Sequence, residues 1–110
     1  MSKIERVNEL LLEELAIIVN REIIMPDSLI TVSYVKCSPD LKQAQVGFSV
    51  LPDKLAGSVL RKLNSSTSLL VAHLHKRTKL RRLPKFIWEF DATEREASQI
   101  EKLIAKANQN

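Results

Sequence analysis

Cysteine and long apolar runs are scarce in this sequence, and each scarcity excludes a class of protein. The one cysteine, Cys37, allows no internal disulfide and no cysteine-based zinc site, which favours a reducing, intracellular location. No segment approaches the roughly 20 consecutive apolar residues of a membrane span, and the charged, amphipathic start lacks the apolar core of a secretory signal. With 110 residues and 45% hydrophobic content, the chain is expected to form one cytoplasmic domain over residues 1–110.

Aspartate and glutamate are absent from residues 54–88, where nine lysines or arginines occur. The flanking segments are net acidic, with −3 over residues 1–53 and −2 over residues 89–110, so this third of the chain carries more than the whole net charge of +4. A positive face of this kind attracts polyanions such as nucleic acid. The alternative is a solvated helix face whose lysines and arginines serve solubility.

Sequence motifs for catalysis are also missing. There is no nucleophile with a base at a recognisable spacing, no motif of paired carboxylates, no phosphate-binding loop and no cluster of metal ligands. His73 and His75 are two residues apart, so on a regular helix they point to different sides and cannot ligate one metal ion. The sequence therefore predicts a protein that is not an enzyme and that uses no cofactor, metal ion or small-molecule substrate.

Hydrophobic periodicity predicts the elements at both ends of the chain. Apolar residues at helical spacing indicate a first helix over residues 3–21, opened by a capping box from Ser2 to Glu5. A second capping box, beginning at Thr93, indicates a C-terminal helix. Strict alternation indicates a strand over residues 85–90.

Two further strands are predicted in the first half of the chain. They cover residues 30–38 and 43–50, and the short turn between them favours an antiparallel hairpin. Gly47 inside the second strand marks a bulge, the close approach of another backbone, or neither of these. Cys37 is expected to be a small, buried, apolar residue of the first strand.

Residues 64–68 read Asn-Ser-Ser-Thr-Ser, and such side chains compete with a helix for backbone hydrogen bonds. We therefore expect the helix that starts near Pro52 to kink or break at Ser66, Thr67 and Ser68, with a new helix capped by one of these hydroxyls. The predicted order is α-β-β-α-kink-α-β with an additional C-terminal helix. This is an α+β fold with a three-stranded sheet covered by helices on one face.

Without its last helix, that order is the type II KH arrangement, and the residues resemble the ribosome-binding factor A family. The similarity spans residues 4–104 and rests on a conjunction of features. These are Arg6-Val7, the stretch from Val35 that ends in Asp40-Leu41, Leu63 before the expected break, Leu80-Arg81, and Pro84 leading through Phe86, Trp88 and Phe90 to Asp91.

The resemblance implies an assembly factor that binds the small ribosomal subunit and its precursor rRNA. It further implies assistance to rRNA processing and late subunit maturation, and importance for growth at low temperature. The Gly-x-x-Gly loop of typical RNA-binding KH domains is absent, because Gly47 and Gly57 are the only glycines. The family has an Ala-x-Gly kink at the position of Ser66, Thr67 and Ser68.

Without a glycine clamp, RNA binding is expected to rest on basic side chains, which contact phosphates without reading sequence. An alternative role for Arg81 is to brace the start of the last strand or to pair with Glu89 or Asp91. The predicted RNA-binding residues are Arg61, Lys62, Lys76, Arg77, Lys79, Arg81, Arg82 and Lys85.

Three alternatives remain open at the level of sequence. Phe86, Trp88 and Phe90 fit a buried core better than a base-stacking platform, because they alternate in a sheet covered by helices. We expect the chain to be a monomer. One alternative function is that of a protein–protein adaptor, which would dock through its acidic first helix or its last helix. Another is that of a general KH-like RNA-binding module outside the ribosome.

Overall fold

The structure is a computed structural model, and it describes residues 1–93. In this range the fold is α+β with two helices and a three-stranded mixed sheet, which confirms the predicted class. The C-terminal helix predicted after Thr93 lies outside the described residues. Neither helix of the described range has the length and apolar character that a membrane crossing needs. In chain order the elements are α1 (Lys3–Glu22), β1 (Leu29–Cys37), β2 (Gln43–Leu51), a 3-10 turn (Asp53–Leu55), α2 (Ala56–Arg77) and β3 (Lys85–Phe90).

Helix α1 begins where the sequence predicts it. The side chain of Ser2 accepts a hydrogen bond from the backbone N–H of Glu5 at 3.1 Å, which satisfies one of the free amides of the first turn. Leu11, Leu15 and Ile18 recur at helical spacing and are at most 1% exposed. This apolar stripe fixes the face of α1 that packs against the sheet.

The central strand of the sheet is β2, with β1 on one side and β3 on the other. β1 pairs with β2 antiparallel, starting with Leu29 opposite Leu51, which confirms the predicted hairpin. β3 pairs with β2 in parallel, starting with Lys85 opposite Gln43. A parallel pair needs a long crossover connection, and α2 supplies it.

The inner face of the sheet forms the core together with both helices. Val46 and Phe48 of the central strand are fully buried, and Phe86 and Trp88 of β3 are only 6% and 5% exposed. Phe90 is half-buried and packs on Phe48, with 5.9 Å between the ring centroids. The alternating aromatic residues of β3 therefore face the helices, and the prediction of core packing is confirmed.

Helix α2 is one uninterrupted helix. The prediction of a break at Ser66, Thr67 and Ser68, followed by a new helix, is therefore wrong. The Thr67 hydroxyl donates to the carbonyl of Leu63, one turn earlier, at 2.9 Å instead of capping a new helix. The same hydroxyl oxygen accepts a hydrogen bond from the indole Nε1 of Trp88 at 3.0 Å. The side chain of Thr67 therefore links α2 to β3 without interrupting the helix.

The outer face of the sheet carries a tyrosine that lies across the central strand. The register of β1 shifts between Val32 and Tyr34, which places Tyr34 opposite Gly47, itself opposite Glu89 of β3. A Cβ atom at Gly47 would overlap the Tyr34 ring, and the Tyr34 hydroxyl donates to the Glu89 carboxylate. Gly47 therefore marks the close approach of a side chain, and the irregularity in pairing lies in the neighbouring strand.

The two glycines provide a matched pair of stability tests. Gly47→Ala is expected to lower the free energy of unfolding by about 1–3 kcal/mol, because the new methyl group displaces the Tyr34 ring. Gly57→Ala is expected to raise it by about 0.4–1 kcal/mol, because Gly57 lies in α2 and its added Cβ would approach no atom more closely than 3.8 Å. Urea unfolding followed by the fluorescence of Trp88 measures both. Effects of the same sign would contradict this account.

Candidate nucleic-acid interface

A short connector, residues 78–84, joins α2 to β3. Thr78 closes the helix, because its backbone N–H and its hydroxyl both donate to the carbonyl of Leu74, at 2.9 and 2.8 Å. At the other end, the N–H of Lys85 donates to the carbonyl of Lys42 at 2.9 Å. Both ends of the connector are therefore fixed by backbone hydrogen bonds, one to α2 and one to the β1–β2 turn.

The apolar residues of the connector turn towards the core. Leu80 and Leu83 are half-buried against the core, and Pro84 is buried. Because these three residues are held against the core, the polar side chains between and beside them lie on the surface. The exposed cations at these positions are Lys79, Arg81, Arg82 and Lys85.

All eight predicted RNA-binding cations are exposed, but the structure groups only six of them. Arg61 and Lys62 lie towards the other end of α2, and at ~1.5 Å per residue Arg61 is about 22 Å along the axis from Lys76. The other six share the last turn of α2, the connector and the first residue of β3. We call these six the basic cluster: Lys76, Arg77, Lys79, Arg81, Arg82 and Lys85.

Arg77 is the member of the basic cluster that is tied to α1. Its Nε donates to the Glu14 carboxylate at 2.5 Å, and the two side chains are 33% and 18% exposed. Within residues 1–93, the other five members form no ion pair. Their charges are therefore available to phosphate groups, whereas Arg77 would have to exchange a carboxylate for one.

The carboxylates proposed as partners of Arg81 are used by other groups. Glu89 accepts from the Tyr34 hydroxyl. Asp91 accepts from the hydroxyl and the backbone N–H of Thr93, at 2.5 and 3.0 Å, and these hydrogen bonds hold the pKa of Asp91 below its ordinary value. In the described part of the chain Arg81 pairs with neither of them, and its exposed position supports a contact role.

The histidines and the cysteine are not members of the basic cluster, although His75 directly precedes Lys76 in the last turn of α2. His73 Nε2 is 3.4 Å from the carboxylate of Glu22 at the end of α1, and His75 is exposed. Cys37 is half-buried, and burial raises the pKa of its thiol. In residues 1–93, no group of three or more His, Cys, Asp and Glu is arranged to hold a metal ion.

Sequence reasoning missed the outer face of the sheet. The Lys36 ammonium lies 5.0 Å from the centroid of the Tyr34 ring, a cation–π distance. Burial, followed by the hydrogen bond to Glu89, raises the pKa of Tyr34 to about 12. These contacts depend on the register of three strands, which a single sequence does not reveal. The available signal was Gly47, a glycine inside an alternating strand.

A sequence profile of the family described as Ribosome-binding factor A matches residues 3–104. The chain belongs to the ribosome-binding factor A family. The match spans both helices, all three strands and the whole basic cluster, so the family resemblance predicted from the sequence is confirmed.

Individual relatives agree with the ribosome-binding factor A assignment. The chain is 35% identical over 104 residues to ribosome-binding factor A of Coxiella burnetii, covering 94% of this chain and 87% of that one. It is 31% identical over 108 residues to the Staphylococcus epidermidis protein of the same name, covering 96% and 93%. It is 28% identical over 106 residues to that of Akkermansia muciniphila, covering 96% and 85%.

A solved structure supports the fold. The crystal structure of ribosome-binding factor A from Thermus thermophilus is similar with a TM-score of 0.68 and 25% sequence identity. The similarity covers 79% of this chain and 93% of that one. The mixed three-stranded sheet with two helices, over the residues described, is therefore the architecture of a ribosome-binding factor A.

Proposed function

We propose that this protein is a non-enzymatic assembly factor that binds the small ribosomal subunit and its precursor rRNA through the basic cluster. In this role it assists rRNA processing and late maturation of the subunit. The observation that carries the proposal is the exposure of six cations in one short region, five of them without an ion pair in the described residues. Because the chain belongs to the ribosome-binding factor A family, we take the polyanion to be ribosomal RNA.

The chemistry of the basic cluster suits phosphate binding. An arginine can bind a phosphate with two parallel hydrogen bonds, and a lysine acts as a point charge. Such contacts position a protein on RNA through shape and charge. We infer that the protein stabilises one conformation of the rRNA and is released when the mature conformation no longer presents the same arrangement of phosphates.

The setting of this function is part of the proposal. We place the protein in the cytoplasm as a monomer, away from membranes and without a small-molecule substrate. Growth at low temperature is where we expect the function to matter most, because misfolded RNA escapes slowly in the cold. We also retain a KH-like type II description of the fold, in which the continuous α2 takes the place of the two central helices.

Sedimentation through density gradients tests the proposal. The protein is expected to co-migrate with free small subunits at about 50 mM salt and to be released at about 200 mM. If five phosphate contacts are made, log affinity should fall against log salt with a slope of roughly −3.5 to −4.5, at ~0.7–0.9 per contact. Bovine serum albumin on the same gradients is the control for trapping.

Failure to co-migrate at both salt concentrations would contradict the proposed function. Co-migration that resists salt would instead favour an adaptor held by protein contacts, because apolar protein interfaces are screened far less than phosphate contacts. Binding to free RNA but not to subunits would favour an RNA-binding module outside the ribosome.

A further inference from the structure

The outer face of the sheet is continuous with the basic cluster. Lys85 belongs to the cluster and is also the first residue of β3, where it is exposed and lies opposite Gln43 of β2. The next outward row across the sheet consists of Ile87, Gln45 and Lys36, one from each strand, and all three are exposed. In the described part of the chain, both helices pack on the opposite face.

A depression of about 260 Å³ lies at this edge of the outer face. Glutamine amides carry a donor and an acceptor side by side, which is the arrangement that pairs with the edge of a nucleobase. Ile87, 40% exposed, adds an apolar surface of the kind that contacts a base face. The residues that line the depression are Lys36, Cys37, Ser38, Gln43, Gln45 and Ile87.

The carboxylates near the depression are engaged within the protein. Glu89, in the next row, accepts from the Tyr34 hydroxyl. Asp40, in the β1–β2 turn, accepts from the hydroxyl of Ser38 at 2.7 Å and from the N–H of Lys42 at 3.0 Å. Neither carboxylate is among the residues that line the depression, whereas Lys36 is, so the charge nearest to a bound anion is positive.

The composition of this face favours RNA over a protein partner. Protein interfaces centre on apolar and aromatic anchors, whereas Ile87 is the one large apolar side chain among the lining residues. Two glutamines and two flanking lysines, Lys36 and Lys85, suit a base attached to a phosphate backbone. Continuity with the basic cluster would let one strand of RNA contact both surfaces.

We propose that the depression between Lys36 and Ile87 binds an unpaired nucleotide of the RNA whose backbone lies on the basic cluster. Gln43 and Gln45 pair with the edge of the base, and Ile87 contacts its face. This inference rests on the proposed function and deepens it. It supplies a contact to a base, which phosphate contacts alone cannot provide.

Fluorescence anisotropy with the full-length protein tests the inference. The probes are fluorescein-labelled oligoadenylate and oligouridylate of about 12 nucleotides and a blunt RNA duplex of the same length. The double variant Gln43→Ala with Gln45→Ala, and separately Ile87→Ala, are expected to lose about tenfold in affinity for at least one single strand. Duplex binding and the salt slope should stay unchanged. Thr31→Ala, exposed on the same face but far from the depression, is the matched control.

Each other outcome decides against the site. Equal single-strand binding by wild type and all variants overturns the inference and leaves the proposed function standing. If the variants lose co-sedimentation with subunits but keep their affinity for oligonucleotides, the face binds a protein partner, and the inference is overturned. If they lose thermal stability but keep their affinity for RNA, the chain itself covers the face, and the inference is likewise overturned. Wild-type protein that binds neither subunits nor RNA contradicts the proposed function, and the inference falls with it.

Discussion

Replacing Arg81 and Arg82 together with glutamate is expected to abolish co-sedimentation with small ribosomal subunits. Both side chains are exposed on the connector and form no ion pair within the described residues. Two charge-assisted contacts are lost and two repulsions are added, so affinity should fall by at least about 100-fold at low salt. The salt slope of any remaining binding should shrink by about 1.5 or more, at ~0.7–0.9 per lost phosphate contact.

Arg61→Glu with Lys62→Glu is the matched comparison for this double reversal. It removes the same amount of positive charge, taking the net charge of +4 to 0 through two changes of −2 each. Because these residues lie near the other end of α2, it should weaken binding by less than about tenfold, through long-range attraction alone. Equal losses of affinity for the two double variants would show that the whole acid-free surface binds and that the interface extends beyond the basic cluster. Full binding by Arg81→Glu with Arg82→Glu would show that the interface lies elsewhere.

Trp88→Ala is expected to lower the free energy of unfolding by about 3–5 kcal/mol, the range for removing a buried large aromatic side chain. Trp88 is 5% exposed, packs beside Phe86 and donates its indole N–H to Thr67. A loss of this size is a large share of the ~5–15 kcal/mol that stabilises a domain. Urea unfolding followed by far-ultraviolet circular dichroism measures it, since the variant has no tryptophan fluorescence.

Thr67→Val separates the hydrogen bond from the packing. It keeps the size of the side chain but leaves the buried indole N–H of Trp88 without its acceptor, so a loss of about 1–3 kcal/mol is expected. If Thr67→Val were to cost as much as Trp88→Ala, the hydrogen bond would dominate over packing. If Trp88→Ala were to cost under about 1 kcal/mol, the assignment of Trp88 to the core would fail.

Much of the fold was predictable because burial on one face leaves a regular trace in the sequence. The alternation over residues 85–90 predicts β3 to the residue, and the apolar stripe of α1 predicts that helix within one residue of its end. The continuity of α2 was not predictable, because a serine or threonine hydroxyl can either cap a new helix or donate to a carbonyl one turn earlier in the same helix. Here the Thr67 hydroxyl bonds back to Leu63 and also accepts from Trp88, a partner that tertiary packing brings next to it.

The candidate site was predictable in its charge and unpredictable in its partners. An acid-free stretch is visible in any sequence, and half-buried leucines at positions 80 and 83 explain why the arginines between them face outwards. The ion pair between Arg77 and Glu14 joins residues 63 positions apart, so no local pattern indicates it. The row formed by Tyr34, Gly47 and Glu89 likewise needs the strand register, including the shift in β1.

The parallel pairing of β3 with β2 determines when during its own synthesis the protein can first act. The hairpin of β1 and β2 forms from nearby residues, but residue 43 must wait for residue 85 before the sheet is complete. Until then the connector that carries Arg81 and Arg82 has one end unanchored. A nascent chain therefore cannot hold the basic cluster in its final geometry before Phe90 has left the exit tunnel, and an unfinished copy lacks the arrangement on which the proposed RNA binding depends.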